Sequence, residues 1–265
     1  MGPTKIPLAL PMGKPNEKLM PVHTDPPTLD LSLVIPLYNE EDNVANLVEE
    51  ACRVLEGRNF EIVLVDDGST DATVARIPRR PNVRVIEFAK NAGQSAAMYS
   101  GVYAARGRVI ALMDGDLQND PADLPRLLAE IDKGFDLVCG YRAKRKDTLF
   151  KRLQSRVANA VRSRFTGDGI RDTGCSLKAM RCECREALVP FRGMHRFIPA
   201  LVKGMGYRIT EVPVNHRPRV AGVSKYGFGN RAFRATRDMF GVKWLLSRQF
   251  QIRIKPTARD GNDSP

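Results

Sequence analysis

No apolar run in this sequence approaches the roughly 20 residues that a bilayer-spanning helix needs. The first thirty residues hold seven prolines, which interrupt every apolar stretch, so no signal-peptide core is legible there. Met1-Gly2 is followed by Ile6 where a myristoylation signal wants serine or threonine. Cysteine is scarce: the five residues are odd in number and lack framework spacing, which excludes a disulfide scaffold and points to a reducing compartment. Cys182-x-Cys184 has no second pair and no histidine at zinc-finger spacing, so it reads as no zinc site. Of the three histidines, His23 falls in the proline-rich stretch, and His195 and His216 read as structural or peripheral. Aromatic residues make up 7% and do not interleave with the basic stretches, so a nucleic-acid-binding protein is a remote reading.

Acidic residues are missing from two places. From Arg142 to Arg164 nine Lys or Arg face one acid, Asp147; from Arg217 to Lys255 ten face Asp238. The chain carries +12, and outside these stretches it sums to −5. A local basic surface implies an anionic partner: nucleic acid, anionic lipid or a phosphorylated substrate. The plain alternative for part of it is a solvated helix face.

What is present is a repeated strand–helix alternation. After a proline-rich tail over 1–30, the apolar run 31–37 reads as a buried parallel strand, followed by a helix over about 42–56. "FEIVLVDDGSTD" is a strand with an acidic end, and Ser69, Thr70 or Asp71 can cap a short helix. "VRVIEF", an alanine-rich helix over 93–106, the strand "RVIALMDGD", a helix over 121–132 with Pro121 in its first turn, and the strand "FDLVCGY" continue it. A basic helix over about 149–165, "DTGCSLKAM", an exposed strand in "YRITEVPVNHRP" and a final helix over about 228–248 follow. This order predicts an α/β fold with a mainly parallel sheet, divided as tail 1–30, main domain 31–238 and amphipathic segment 239–265.

Ligands of open parallel sheets bind at the carboxyl ends of the strands. Tyr38-Asn39-Glu40, Asp66-Asp67 and Asp114-Gly115-Asp116 fall at three such ends. In extended chain Asp114 and Asp116 project to one side. Two close carboxylates repel unless a cation separates them, and Mg²⁺ or Mn²⁺ takes oxygen ligands completed by substrate phosphates. A plain Asp-Gly turn is the competing reading.

Five segments, "VIPLYNEEDNV", "VLVDDGSTDAT", "NAGQSAAMYSGVYAARGRVIALMDGDLQNDP", "DTGCSLKAM" and "RVAGVSKYG", occur in this order. Together they resemble family 2 inverting glycosyltransferases of the GT-A, Rossmann-like fold, in the branch of dolichyl-phosphate mannose synthase and bacterial polyprenyl-phosphate glycosyltransferases. The resemblance covers about residues 30–250. It implies transfer of a sugar from a UDP- or GDP-linked donor to a polyprenyl (dolichyl or undecaprenyl) phosphate. Pro36, Tyr38 and Glu40 would line the nucleoside pocket, with Asp67 on the base or ribose and Asp114 beside the nucleotide. Asp114, Asp116 and Gln118 would hold Mg²⁺ or Mn²⁺. Arg142, and Arg152 with Ser155, would hold the acceptor phosphate, with Lys151 as an alternative to Arg152. Arg219 and Lys225 would grip phosphates of donor or acceptor. A phosphate acceptor is already anionic, with a second pKa near 6, so no obligatory base is required.

Many bacterial relatives carry two transmembrane helices after the "SKYG" region, where this sequence has "DMFGVKWLLSRQFQIRIK". That segment reads equally as an interfacial helix on anionic lipid or as a helix packed on the domain. The expected location is cytoplasmic, peripheral on the cytoplasmic face of a membrane, with a separate membrane-anchored partner as an option. The rival within enzymes is a soluble transferase acting on a saccharide or other hydroxyl acceptor, with Asp172 as its carboxylate base.

Overall fold

The computed structural model describes residues 28–143, 162–218 and 229–249. Residues 1–27 of the proline-rich tail, most of the 149–165 helix, Lys151, Arg152, Ser155, Arg219 and Lys225 lie outside them; Leu29 and Asp30, expected in the tail, belong to the first strand.

The apolar runs bounded by turn-forming residues form the strands. In chain order they are β1 (Leu29–Leu37), α1 (Val44–Val54), β2 (Phe60–Asp66), β3 (Val83–Glu87), α2 (Gln94–Ala104) and β4 (Gly107–Leu112). Next come α3 (Leu124–Asp132), β5 (Leu137–Arg142), β6 (Lys178–Arg181), α4 (Ile198–Gly204), β7 (Ile209–Val214) and α5 (Gly229–Arg248). The sheet runs β3-β2-β1-β4-β6-β5-β7. All pairings are parallel except those of β6, which runs against both β4 and β5.

Side-chain alternation along β1 divides the core. Leu31, Leu33, Ile35 and Leu37 join α1 and α3 on one face, while Val34 joins Ala97, Val102, Leu201 and Val242 on the other. Helix α2 lies so close to the sheet that a Cβ on Gly101 would fall 2.3 Å from Val34 Cγ1. Glycine there is a packing requirement.

Several boundaries differ from expectation. The fourth strand ends at Leu112, short of the acids. Pro121–Asp123 form a 3-10 turn, capped by Asp120 Oδ1 accepting from Ala122 N at 3.0 Å, before α3 begins. The short helix after β2 is a 3-10 turn, Val74–Arg76, starting at Thr73 with no side-chain cap bond. Ser69 accepts from the peptide nitrogen of Asn39 instead, while Asp71 accepts from those of Glu41 and of Thr73, just ahead of the turn. β6 carries no strand signal in the sequence: it is four residues long and includes the polar Lys178. The final helix continues across residues 238 and 239, so a domain boundary placed there falls within one element.

Candidate active site

The carboxyl ends of β2, β1 and β4 are neighbours in the sheet, so the three polar clusters lie together at one end of it. Because β6 is antiparallel, its approach segment Asp172–Leu177 arrives at that same end, beside the end of β5. A fourth group of polar residues therefore joins the site.

The first wall is a pair of stitched loops. Asn39 adopts the left-handed backbone (φ 52°). Its N–H donates to Ser69 Oγ at 2.9 Å, and its Oδ1 accepts from Thr70 N at 2.8 Å. Glu40 N donates to Thr73 Oγ1 at 2.8 Å, and Glu40 Oε2 accepts from Asn43 Nδ2 at 2.7 Å. Pro36 is buried and Tyr38 and Glu40 half-buried. Asp67 is buried, its carboxylate accepting from Asn91 Nδ2 at 2.9 Å, Ala92 N at 2.7 Å and Gly93 N at 2.9 Å. It thus anchors the loop that starts α2. Gly68 (φ 69°) permits this: a Cβ there would meet Asn91 N at 2.8 Å. Asp66 Oδ1 is buried without a hydrogen-bond partner.

The second wall carries Asp114 and Asp116. They lie in a bend beyond β4, so their convergence comes from the turn and not from the alternation of an extended strand. Leu117, buried within the bend, is left-handed (φ 58°), a conformation that costs a residue with a Cβ of order 1–3 kcal/mol. Asp116 Oδ1 accepts from Gln118 N at 3.2 Å. Asp114 Oδ1 accepts from Gln94 Nε2 at 2.7 Å. Asn119 Oδ1 accepts from Asp114 N at 3.3 Å and from Ser176 Oγ at 2.7 Å. Loss of hydration pushes the Asp114 carboxyl above the usual aspartate range, and the Asp116 charge adds to this; Ser176, Lys178 and Gln94 pull the other way without cancelling it. A like-charged pair so placed fits a hard divalent cation, with both carboxylates supplying oxygen. Among the described residues no group of three or more His, Cys, Asp or Glu forms a closed metal cage. A cation here would therefore need Gln118, water or substrate oxygens to complete its shell.

The third wall is Arg142 with Asp172. Arg142 Nε donates to Asp172 Oδ2 at 2.8 Å and Nη2 to Oδ1 at 2.9 Å. Burial alone would lower the Arg142 pKa, but the Asp172 bonds outweigh it and the shift is upward, with Asp114 contributing. Arg142 is thus a fixed cation within electrostatic reach of Asp114. Not all of the basic stretch is free to meet a partner: Arg162 donates to Asp168 Oδ2 at 2.8 Å, while Arg164 is exposed.

Sequence reasoning missed Gln94, Asn119, Ser176 and Lys178. Lys178 is 2% exposed and donates to the Cys175 carbonyl. Their only signal was membership of the "NAGQSA", "MDGDLQNDP" and "DTGCSLKAM" segments. His195 Nδ1 pairs with Ser95 Oγ at 2.8 Å, a structural role. His216 lies nearer the site than expected, bridged to Asn119.

A twisted, mainly parallel sheet with acids and amides at the strand ends is the framework of a nucleotide-sugar transferase. The family model described as glycosyl transferase family 2 matches residues 32–188, and the chain belongs to that family. It is 44% identical over 230 residues to the dodecaprenyl-phosphate galacturonate synthase of Rhizobium johnstonii, covering 83% of this chain and 68% of that protein. It is 42% identical over 205 residues to the undecaprenyl-phosphate 4-deoxy-4-formamido-L-arabinose transferase of Pseudomonas fluorescens, covering 74% of this chain and 60% of that one. A glucosyl-3-phosphoglycerate synthase from Mycobacterium tuberculosis, solved with Mn²⁺, UDP and phosphoglyceric acid, superposes with a TM-score of 0.62. That match covers 83% of this chain and 78% of the other at 19% identity, and is a likeness of fold, GT-A. The protein is a glycosyltransferase.

Proposed function

We propose that the enzyme transfers a sugar from a nucleoside-diphosphate donor, UDP- or GDP-linked, to the phosphate of a polyprenyl lipid, with inversion at the anomeric carbon. The observation that carries this is the fixed Arg142 cation within electrostatic reach of Asp114, in a chain whose named relatives act on polyprenyl phosphates. Pro36, Tyr38, Glu40 and Asp67 form the nucleoside side. Arg142 faces the acceptor, with Arg152, Ser155, Arg219 and Lys225 assigned to phosphates by their motifs alone. Mg²⁺ or Mn²⁺ held by Asp114 and Asp116, with Gln118 beside them, would offset the charge of the departing diphosphate. An oxygen of the acceptor phosphate attacks the anomeric carbon from the face opposite the diphosphate. The new carbon–oxygen bond forms as the bond to the diphosphate breaks, and the nucleoside diphosphate leaves. Because that oxygen is already anionic, positioning and charge shielding suffice.

The hydroxyl-acceptor alternative needs Asp172 as a base, but its two oxygens are engaged by the Arg142 guanidinium, which stabilises the carboxylate and lowers its basicity. Asp172 is better assigned as the residue that positions Arg142.

The acceptor is a lipid, and α5 offers a surface for it. Met239, Leu245 and Leu246 pack on the core, whereas Phe240 is 58% and Trp244 64% exposed, with Arg237, Lys243 and Arg248 exposed on the same helix. The two readings of this segment thus describe opposite faces of one helix. The exposed face fits peripheral attachment to an anionic membrane, on the cytoplasmic side where nucleotide sugars are held. Among the described residues no helix is long and apolar enough to cross a membrane. The deciding experiment is nucleotide release from a panel of UDP- and GDP-sugars, including uronic acid and amino-pentose donors, with and without undecaprenyl phosphate. Release that depends on the lipid phosphate supports the proposal; release with free saccharides alone overturns it.

A further inference from the structure

Strand β7 lies three places from β4 in the sheet, yet the residues that follow it return to the loop that follows β4. Asn215 N donates to Asp123 Oδ2 at 2.6 Å. His216 bridges to Asn119, and Arg217 N donates to the Gln118 carbonyl at 2.9 Å. The Arg217 guanidinium then joins two elements: Nη1 donates to Glu50 Oε2 on α1 at 2.6 Å and Nη2 to Asp120 Oδ1 at 2.8 Å. Apart from the Glu50 bond, these contacts fall on residues 118–123, immediately after Asp116 and the left-handed Leu117. A strained backbone persists only where its surroundings over-determine it. The Asp114–Gln118 bend meets that condition, being held from inside by Gln94 and Ser176 and from outside by the strap 215–217.

We propose that Arg217 is a positioning residue which, by tying Glu50 and Asp120 together, holds the Asp114–Gln118 bend in its strained, cation-accepting form. This rests on the reading of Asp114 and Asp116 as the metal-binding pair. A guanidinium suits the task because its planar fork can hold two carboxylates in fixed directions. Residues that orient ligands of a metal from behind typically alter its affinity by about 10–100-fold when removed.

The test is Mn²⁺ binding, read from the paramagnetic resonance of free Mn²⁺, in separate arms with uridine and guanosine diphosphate. Wild-type protein binds in at least one arm, and Asp116→Asn does not. Arg217→Ala weakens Mn²⁺ binding about tenfold or more. Glu50→Gln, which leaves Arg217 and its Asp120 bond in place, gives an intermediate loss and decides the matter if Arg217→Ala does not fold. Adding Leu117→Gly to Arg217→Ala recovers part of the affinity, because glycine takes the left-handed conformation without strain. A purely structural role predicts the opposite, since a buried leucine is lost. Wild-type affinity in both Arg217→Ala and Glu50→Gln, with Asp116→Asn inactive in binding, overturns the inference and leaves the metal pair standing. A double variant no better than Arg217→Ala overturns the strain argument. Absence of Mn²⁺ binding by wild type in both arms, or retention by Asp116→Asn, overturns the metal reading itself.

Discussion

Asp172 closes a two-point ion pair on Arg142 from thirty residues away, and the Arg142 peptide nitrogen donates to the same carboxylate at 3.2 Å. Asp172→Asn keeps the shape but weakens the charge-assisted bonds, and should cost about 1.5–3 kcal/mol of stability. In kinetics it should raise KM for polyprenyl phosphate more than KM for the donor. Arg142→Ala should do the same more severely. Denaturant unfolding and steady-state kinetics with both substrates varied check this. A fall in kcat by orders of magnitude with both KM values unchanged would instead identify Asp172 as a base.

The raised pKa of Asp114 makes a prediction about pH. The folded state holds this proton more tightly than the unfolded chain does. Its contribution to stability is therefore full below the usual aspartate range, about 4, and is lost as pH rises through the raised value. Above that value the Asp114 charge, buried beside Asp116, is a cost. Asp116→Asn should accordingly raise the melting temperature of the chelated protein at pH 7 but not at pH 4, while abolishing transfer. Mg²⁺ or Mn²⁺ should raise the wild-type melting temperature at pH 7. Calorimetric scans with and without chelator check both signs.

Asp67 accepts from two peptide nitrogens just ahead of α2. Asp67→Ala should cost about 0.5–2 kcal/mol, as loss of a helix cap does. If Asp67 also meets the base or ribose, nucleotide affinity should fall by more than the stability loss explains. Urea unfolding together with calorimetric titration of UDP and GDP separates the two effects.

Trp244 is the single tryptophan and is 64% exposed, so its fluorescence reports directly on the outer face of α5. Anionic vesicles should shift its emission to the blue, and neutral vesicles should not. Each basic residue near the surface contributes about 1 kcal/mol. The shift should therefore weaken as salt shortens the Debye length. An unchanged spectrum with both vesicle types would move the lipid contact to a separate membrane-anchored partner.

Much of this could be read without coordinates because the signals are local. The run "RVIALMDGD" places two acids after an apolar strand, and the helical spacing of Val44, Leu47, Val48 and Ala51 assigns α1 its buried face. The order of segments then names the chemistry, since each motif sits at its own strand end.

What local pattern cannot contain is which distant residues meet. β6 exists only through pairing with β4 and β5, and its reversed direction is what carries Asp172 and Ser176 to the catalytic end of the sheet. Gln94 and Arg217 are ordinary polar residues in sequence; their partners Asp114, Glu50 and Asp120 are supplied by other elements. The outward face of α5 was likewise undetermined until Leu246 packed against Gly204, where a Cβ would fall 2.5 Å away. By itself, then, the sequence determined the family, the strand ends and the acidic pair, because periodicity and motif are short-range properties of the chain. The support of that pair, the grip on Arg142 and the side of α5 left exposed were decided by tertiary packing, because each depends on a contact whose two halves carry no mark of one another.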